Sequence, residues 1–388
     1  MKFSTRASKF VRITSCEGDY LTVLRFLKKN VVLVIAAIAA AVTSFIVPPD
    51  KEYLSYLDYK TLVCLFITLA VVCALRNIKF FTIVARKLVT MSGDLRGLFL
   101  MLIAITFLGS MLIANDMALI TFLPLGYFAL SVAKQEKYMA YLFILQNISA
   151  NLGGMLTPFG NPQNLYLYSY FNIPTGQFCK IMLPPFLLAI AMLAGACYLV
   201  KPLKISVNEK FEDKLNAKRT ILYLLLFALS ILVVFRVIPF WVGLVVVPAV
   251  ILIVDREALL MVDYPLLFTF VFFFIFAGNL ARIESVNSLM STLLEKDPLI
   301  FSILSCQVMS NVPTAILFSH FTSDFVPLLL GVNIGGTGTL IASLASLITF
   351  SEYSILYPKK KWHYLGMFTL INVIFLVVMT FAARFVFM

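Results

Sequence analysis

Histidine is nearly missing from this 388-residue chain, which holds only His320 and His363. Its six cysteines, Cys16, Cys64, Cys73, Cys179, Cys197 and Cys306, are scattered, with no CxxC pair. These two scarcities exclude a histidine- or cysteine-rich metal centre, which needs several closely spaced ligands. Charge is scarce as well, at 13% of residues, where soluble domains carry about 25%. Neither HExxH nor GxSxG occurs, so an intramembrane protease or hydrolase has no motif to stand on. What is abundant is apolar surface: 61% of residues are hydrophobic and mean hydropathy is +0.97. No soluble core of this size hides so much, so the solvent must be lipid. Backbone groups in lipid must pair within their own segment, which makes an all-α polytopic membrane protein the expectation.

The formal net charge is +12. In a soluble chain that would suggest nucleic acid, but here no basic stripe with interleaved aromatics appears, and a nucleic-acid partner is excluded. Lys and Arg sit between apolar runs instead. With the N-terminus in the cytoplasm, 24 of the 31 basic residues fall on the cytoplasmic side. That bias predicts nine spans and two hairpins in a multi-pass protein of the plasma (inner) membrane, with the C-terminus outside. The first apolar run begins near Val31 and ends at Pro48-Pro49, which does not read as a cleavable signal. The basic segment 1–30 is expected to be a cytoplasmic membrane-surface helix. The expected organisation is a first repeat over 31–200, a loop and linking helix over 201–239, and a second repeat over 240–388.

Four apolar stretches are interrupted. The run 97–133 is broken at Asn115-Asp116 between two basic flanks, Arg96 and Lys134-Gln-Glu-Lys137, and reads as a re-entrant helical hairpin. A span at 138–171 is broken at Asn151-Leu-Gly-Gly and Thr157-Pro-Phe-Gly-Asn-Pro-Gln-Asn164. The run 298–325 breaks at Ser310-Asn311-Val312-Pro313, and the span 326–353 at Gly335-Gly-Thr-Gly338. The two sets match in order. Asn151-Leu-Gly-Gly-Met-Leu-Thr157 aligns with Asn333-Ile-Gly-Gly-Thr-Gly-Thr339, and Asn115 with Asn311. The extra span near 220–238 turns the second half upside down, so the expected fold is two inverted repeats, each with a hairpin and a broken transmembrane helix.

Irregular backbone at membrane depth survives only where protein or a wet cavity covers it. Helix N-termini at such breaks suit an anion, and free carbonyls and Asn side chains suit Na⁺. No Lys or Arg lies in the core of either hairpin or broken span, so an anion there needs dipoles, neutral polar groups and co-bound cations. Coupling to Na⁺ or H⁺ follows as an expectation, with no other cofactor. Asp116 is a carboxylate within an apolar run, a cation ligand or proton carrier by default. Helix capping is the plain alternative for Asp116, Asn115 and Asn311, and close helix packing for the glycines. Their clustering and their symmetry favour a site. His320, by contrast, reads as a structural polar group.

At these residues the chain resembles the ion-transporter superfamily of divalent-anion/sodium symporters, citrate permeases and arsenite permeases. The motifs are Ala114-Asn-Asp-Met-Ala-Leu119, Asn151 to Asn164, Ser310-Asn-Val-Pro-Thr314 and Asn333 to Thr339, and with the span order the likeness covers about residues 57–388. The resemblance implies a homodimer that moves a transport domain like an elevator. It implies a cation site between each hairpin tip and its broken-helix loop, with the substrate between the tips. On this chain the cation residues would be Asn115, Asp116, Asn151, Gly153, Gly154, Thr157, Asn311, Asn333, Gly335, Gly336 and Thr339, with Na⁺ at Asn115, Asn151, Asn311 and Asn333. Substrate contacts would come from Asn115, Asp116, Asn161, Ser310, Asn311, Thr314 and Thr337. The implied partner besides lipid is a small anion such as a di- or tricarboxylate. The tips read Ala-Asn-Asp and Ser-Asn-Val where dicarboxylate symporters carry Ser-Asn-Thr. Asn115-Asp116 looks more like the arsenite and sodium/proton branches, and Asn-Pro-Gln-Asn164 more like the anion branch. An exporter or antiporter therefore stays beside the importer as an alternative, with a channel or an intramembrane enzyme more remote.

Overall fold

The computed structural model describes residues 30–89, 92–205 and 215–387. The expected N-terminal surface helix lies outside the described residues except for Asn30, as does the middle of the 201–219 loop. Among the described residues the chain is helical, with one isolated bridge between Asp94 and Lys204 and no strand.

Helix α1 covers Val31–Ile46, α2 Tyr59–Asn77 and the amphipathic α3 Phe80–Val89. Helices α4 (Leu95–Ile113) and α5 (Asn115–Val132) form the first hairpin pair. The first broken span is α6 (Met139–Gly153) and α7 (Pro162–Tyr170), followed by α8 (Thr175–Tyr198). Then come α9 (Ala217–Val234), α10 (Phe240–Val254), α11 (Tyr264–Arg282) and a second amphipathic helix, α12 (Glu284–Lys296). The second hairpin pair is α13 (Pro298–Met309) and α14 (Asn311–Phe318). The second broken span is α15 (Phe325–Ile334) and α16 (Leu344–Leu356), and α17 (Lys361–Ala382) closes the chain. Seven of these are long and apolar enough to cross a bilayer: α2, α4, α5, α8, α9, α11 and the stretch holding α17. The protein is a multi-pass membrane protein.

Aspartates start many of the helices, because a carboxylate can accept from the otherwise orphaned N–H groups of a first turn. Asp94 accepts from the Gly97 N–H at 2.6 Å to open the first hairpin, and Asp297 from the Ile300 N–H at 3.1 Å to open the second. Asp58, Asp255 and Asp263 cap other turns in the same way. Proline stands in the first turn of α7, α11 and α13, where its missing N–H costs nothing.

The packing is reciprocal. Helix α1 lies against α11, and α10 lies against α2. The second arm of each hairpin packs on the second half of the other broken span: α5 on α16, α14 on α7. At the centre is α6, of which every residue but Tyr141 is buried. A helix buried all round would be apolar all round, yet α6 carries Gln146, Asn147, Ser149 and Asn151. Buried polar groups must find partners, and those of Asn147 and Asn151 belong to the candidate site.

Candidate functional site at the hairpin tips and helix breaks

Both hairpins turn on a single residue. Ala114 has φ 60° and ψ 153°, and Ser310 has φ 78° and ψ 160°. That corner of backbone space belongs to glycine; an L-residue held there costs on the order of 1–3 kcal/mol and marks functional sites. The residue after each turn is a buried asparagine whose Oδ1 accepts the next N–H: Asn115 from Asp116 at 3.0 Å, Asn311 from Val312 at 2.9 Å. The chain thus breaks at Ala114, one residue before the Asn-Asp pair that signals it in the sequence.

Each tip meets its own helix break. Asn115 Nδ2 donates to Asn151 Oδ1 at 3.1 Å. A Cβ on Gly336 would stand 3.0 Å from Asn311 Nδ2. Thr157 Oγ1 donates to the carbonyl of Met111 at 3.0 Å, and Thr339 Oγ1 to the carbonyl of Gln307, also at 3.0 Å. Met111 and Gln307 each lie four residues before a tip asparagine. Gly153 packs where a Cβ would come within 2.3 Å of the Phe107 carbonyl and 2.4 Å of Ser110 Oγ. Gly335 is likewise closed in by Gly331 and Cys306.

The two breaks also touch one another. Asn333 Nδ2 donates to Asn164 Oδ1 at 2.6 Å, and Asn147 and Ser346 bond across the same seam at 3.3 Å. Asn164 Nδ2 reaches the carbonyls of Gly154, Met155 and Thr157. Asn161 Nδ2 donates to the Asn151 carbonyl at 3.3 Å, and Asn151 reaches Asn147 at 3.5 Å. Of the anticipated residues, Asn115, Asn151, Asn161 and Asn333 therefore stand in this amide network. Gly154 borders it, since a Cβ there would lie 2.4 Å from Asn161 Oδ1. Asp116 follows Asn115 at the tip. Ser310 bonds Asn311 Oδ1 and the Ala342 carbonyl, both at 3.3 Å. Two others turn elsewhere: Thr314 donates to the Ser310 carbonyl at 2.8 Å, and Thr337 to the Ile334 carbonyl at 2.7 Å.

Several members were not singled out from sequence. Asn147 lies one turn before Asn151 on the same face of α6, a spacing that could have found it. Gln307 and Ser346 carry no such signal. Arg76, at the end of α2, donates to the Met117 sulfur at 3.5 Å.

At the tips and breaks themselves, four buried carboxylate and amide oxygens have no hydrogen-bond partner: Asp116 Oδ1, Asn161 Oδ1, Gln163 Oε1 and Asn333 Oδ1. Carboxylate and amide oxygens are the donor set of a hard cation. Three of the four lie at the first tip and first break.

Comparison with known proteins gives the family. The family described as citrate transporter matches residues 20–325. An uncharacterised transporter of Methanocaldococcus jannaschii is 34% identical over 300 residues, 77% of this chain and 82% of that protein. An inner membrane protein of Escherichia coli is 28% identical over 313 residues, 79% of this chain and 83% of its own length. A silicon efflux transporter of Oryza sativa is 36% identical over 153 residues, 39% of this chain and 29% of that protein. The chain is a membrane transporter and belongs to the citrate transporter family.

Proposed function

We propose that the protein is a secondary transporter that couples a cation, Na⁺ or H⁺, to uptake of a small anion such as a di- or tricarboxylate. In this reading the chain is two inverted repeats, each with a re-entrant hairpin, and the tips and breaks form a mobile body. That body slides like an elevator against α1, α2, α9, α10 and α11 in a homodimer, with the N-terminus inside and the C-terminus outside. The observation that carries the reading is the paired tip: an L-residue in glycine-only backbone, then a buried asparagine, twice, each set against a glycine-rich break. Strain kept at two corresponding points is what a binding site retains and a packing corner sheds. The reciprocal packing of the two halves supports the repeat, and the family supports transport.

The anion would sit between the tips, near Asn115, Asn161, Ser310 and Asn311. The cations would neutralise its charge and link binding to the gradient. One feature favours a second reading, that of an exporter or sodium/proton antiporter: Asp116 carries a buried, unpartnered oxygen at the first tip, a place for a proton. One partial relative is an efflux transporter.

Reconstitution in liposomes separates the two. Labelled succinate, citrate, sulfate and arsenite would be offered under imposed Na⁺ and pH gradients, beside Asp116→Asn and Asn311→Ala. Saturable anion uptake that follows one cation gradient and fails in both variants is the expected result. Na⁺ flux driven by pH alone and lost in Asp116→Asn would replace the importer with the antiporter.

A further inference from the structure

The family resemblance places a cation at each break, and the residues of the second break do not fit one. Gln307, on the first arm of the second hairpin, fills that loop. Its Nε2 donates to the carbonyls of Gly335 at 2.9 Å, Thr337 at 3.1 Å and Ile303 at 3.1 Å. Its Oε1 accepts the Thr339 N–H at 2.9 Å, and its own carbonyl accepts the Thr339 hydroxyl at 3.0 Å. An amide NH₂ has two hydrogens, so three close acceptors saturate it. The loop is moulded around this side chain: Gly338 has φ +116°, and a Cβ there would fall 2.2 Å from Gln307 Oε1. Carbonyl oxygens at a helix break are what a hard cation would take. Here a tethered amide already holds them.

The first break is built differently. The residue corresponding to Gln307 is Met111, whose thioether donates nothing. Asn164 spreads one NH₂ over three carbonyls at longer range, 3.3, 3.2 and 3.4 Å. Asn161 is 1% exposed, with its Oδ1 unpaired and turned against Gly154. Asp116 Oδ1, at the first tip, is unpaired as well. Asn333 Oδ1 is unpaired too; its Nδ2 donates to Asn164 Oδ1 at 2.6 Å and to the Leu329 carbonyl at 2.8 Å, which sets this side chain at the seam between the two breaks.

We propose that the chain binds one sodium ion, at the first break with Asn161 Oδ1 as a ligand, and that the Gln307 amide replaces the second ion. This rests on the cation-coupled reading above and makes it more specific. The two halves then divide the work: the second hairpin is fastened to its break at all times, and only the first is fastened by a cation.

The test is equilibrium binding of radiolabelled sodium to the full-length protein in detergent, which needs no knowledge of the anion. The wild type is expected to bind about one ion per chain, without cooperativity, since the Hill coefficient is bounded by the number of sites. Asn161→Ala should weaken that binding by about tenfold or more, as loss of a ligand or its support does. Gln307→Met, which copies Met111, should add a second, weaker ion. Gln307→Glu keeps the shape and should do the same. Two ions in the wild type, or none, would overturn the proposal, as would unchanged stoichiometry in folded Gln307→Met and Gln307→Glu. One bound ion without anion uptake in the liposome assay would keep this inference and remove the anion-symport reading.

Discussion

The two hairpins share their tips and differ in their arms. The first has arms of 19 and 18 residues, the second of 12 and 8. At about 1.5 Å per residue, each arm of the first could cross the roughly 30 Å hydrocarbon layer, and neither arm of the second could. Yet φ at the turn, the asparagine after it and the threonine bond from the break agree closely. Arm length is thus free to vary while tip geometry is kept. The two tips also differ in what holds them. The first tip is tied to its break by Asn115 and Asn151, side chain to side chain. The second is tied by Gln307, which reaches the loop backbone from a turn below the tip. A side-chain pair can be released and remade with an ion between; an amide saturated by backbone carbonyls stays closed.

This contrast can be broken at several points. The largest effect is expected from Gly153→Ala. The added Cβ would meet a backbone carbonyl at 2.3 Å, which cannot swing aside, so overpacking should cost about 3 kcal/mol. The corresponding Gly335→Ala meets its nearest atom at 2.7 Å and should cost less; thermal unfolding in detergent compares the two. Next is the tip pair. Asn115→Ala leaves the Asn151 Oδ1 without its donor, a loss of about 1–3 kcal/mol. Beyond the following N–H, which loses its acceptor at either tip, Asn311→Ala removes an acceptor only from the Ser310 hydroxyl, which keeps the Ala342 carbonyl, and should unfold closer to the wild type. If both fall equally, the tips are fastened alike and the contrast fails.

A smaller effect is expected where α7 ends. Arg236 donates to the carbonyls of Tyr168 at 2.5 Å and Ile173 at 3.4 Å, with its guanidinium 4.3 Å above the Tyr168 ring. The matching end of α16 closes on its own backbone, Tyr357 to Tyr353. Arg236→Gln should cost about 1–2 kcal/mol and loosen α7 alone, read by hydrogen exchange. The smallest effect lies outside the membrane. Arg282 donates to Asp50 at 2.7 Å and holds its carboxyl below the usual carboxylate range. A depressed pKa stabilises the fold above the ordinary carboxylate range, and that contribution is lost as pH falls through the lowered value. Asp50→Asn should therefore leave the melting temperature nearly unchanged at neutral pH in salt, because the pair is exposed and screened. A large drop would mean that this loop matters as much as the tips.

Much of this molecule was legible in the chain because membranes impose few solutions. Composition demanded helices, and the four interruptions stand where Asn, Gly and Pro punctuate apolar runs. Asn115, Asn151, Asn161 and Asn333 could be picked out because a carboxamide inside such a run needs a partner wherever it lands. What that partner would be could not be read. Gln307 looks like any polar residue on a helix until the loop 28 to 32 residues later folds over it. Arg76 belongs to a helix that sequence order separates from the tip it meets. Asn147 finds Ser346 across 199 residues. Local sequence determines where backbone must break, since hydrogen bonding within a segment is a local demand. Only tertiary packing decides which distant donor fills each break, because that choice depends on which parts of the chain the whole fold brings within about 3 Å of one another.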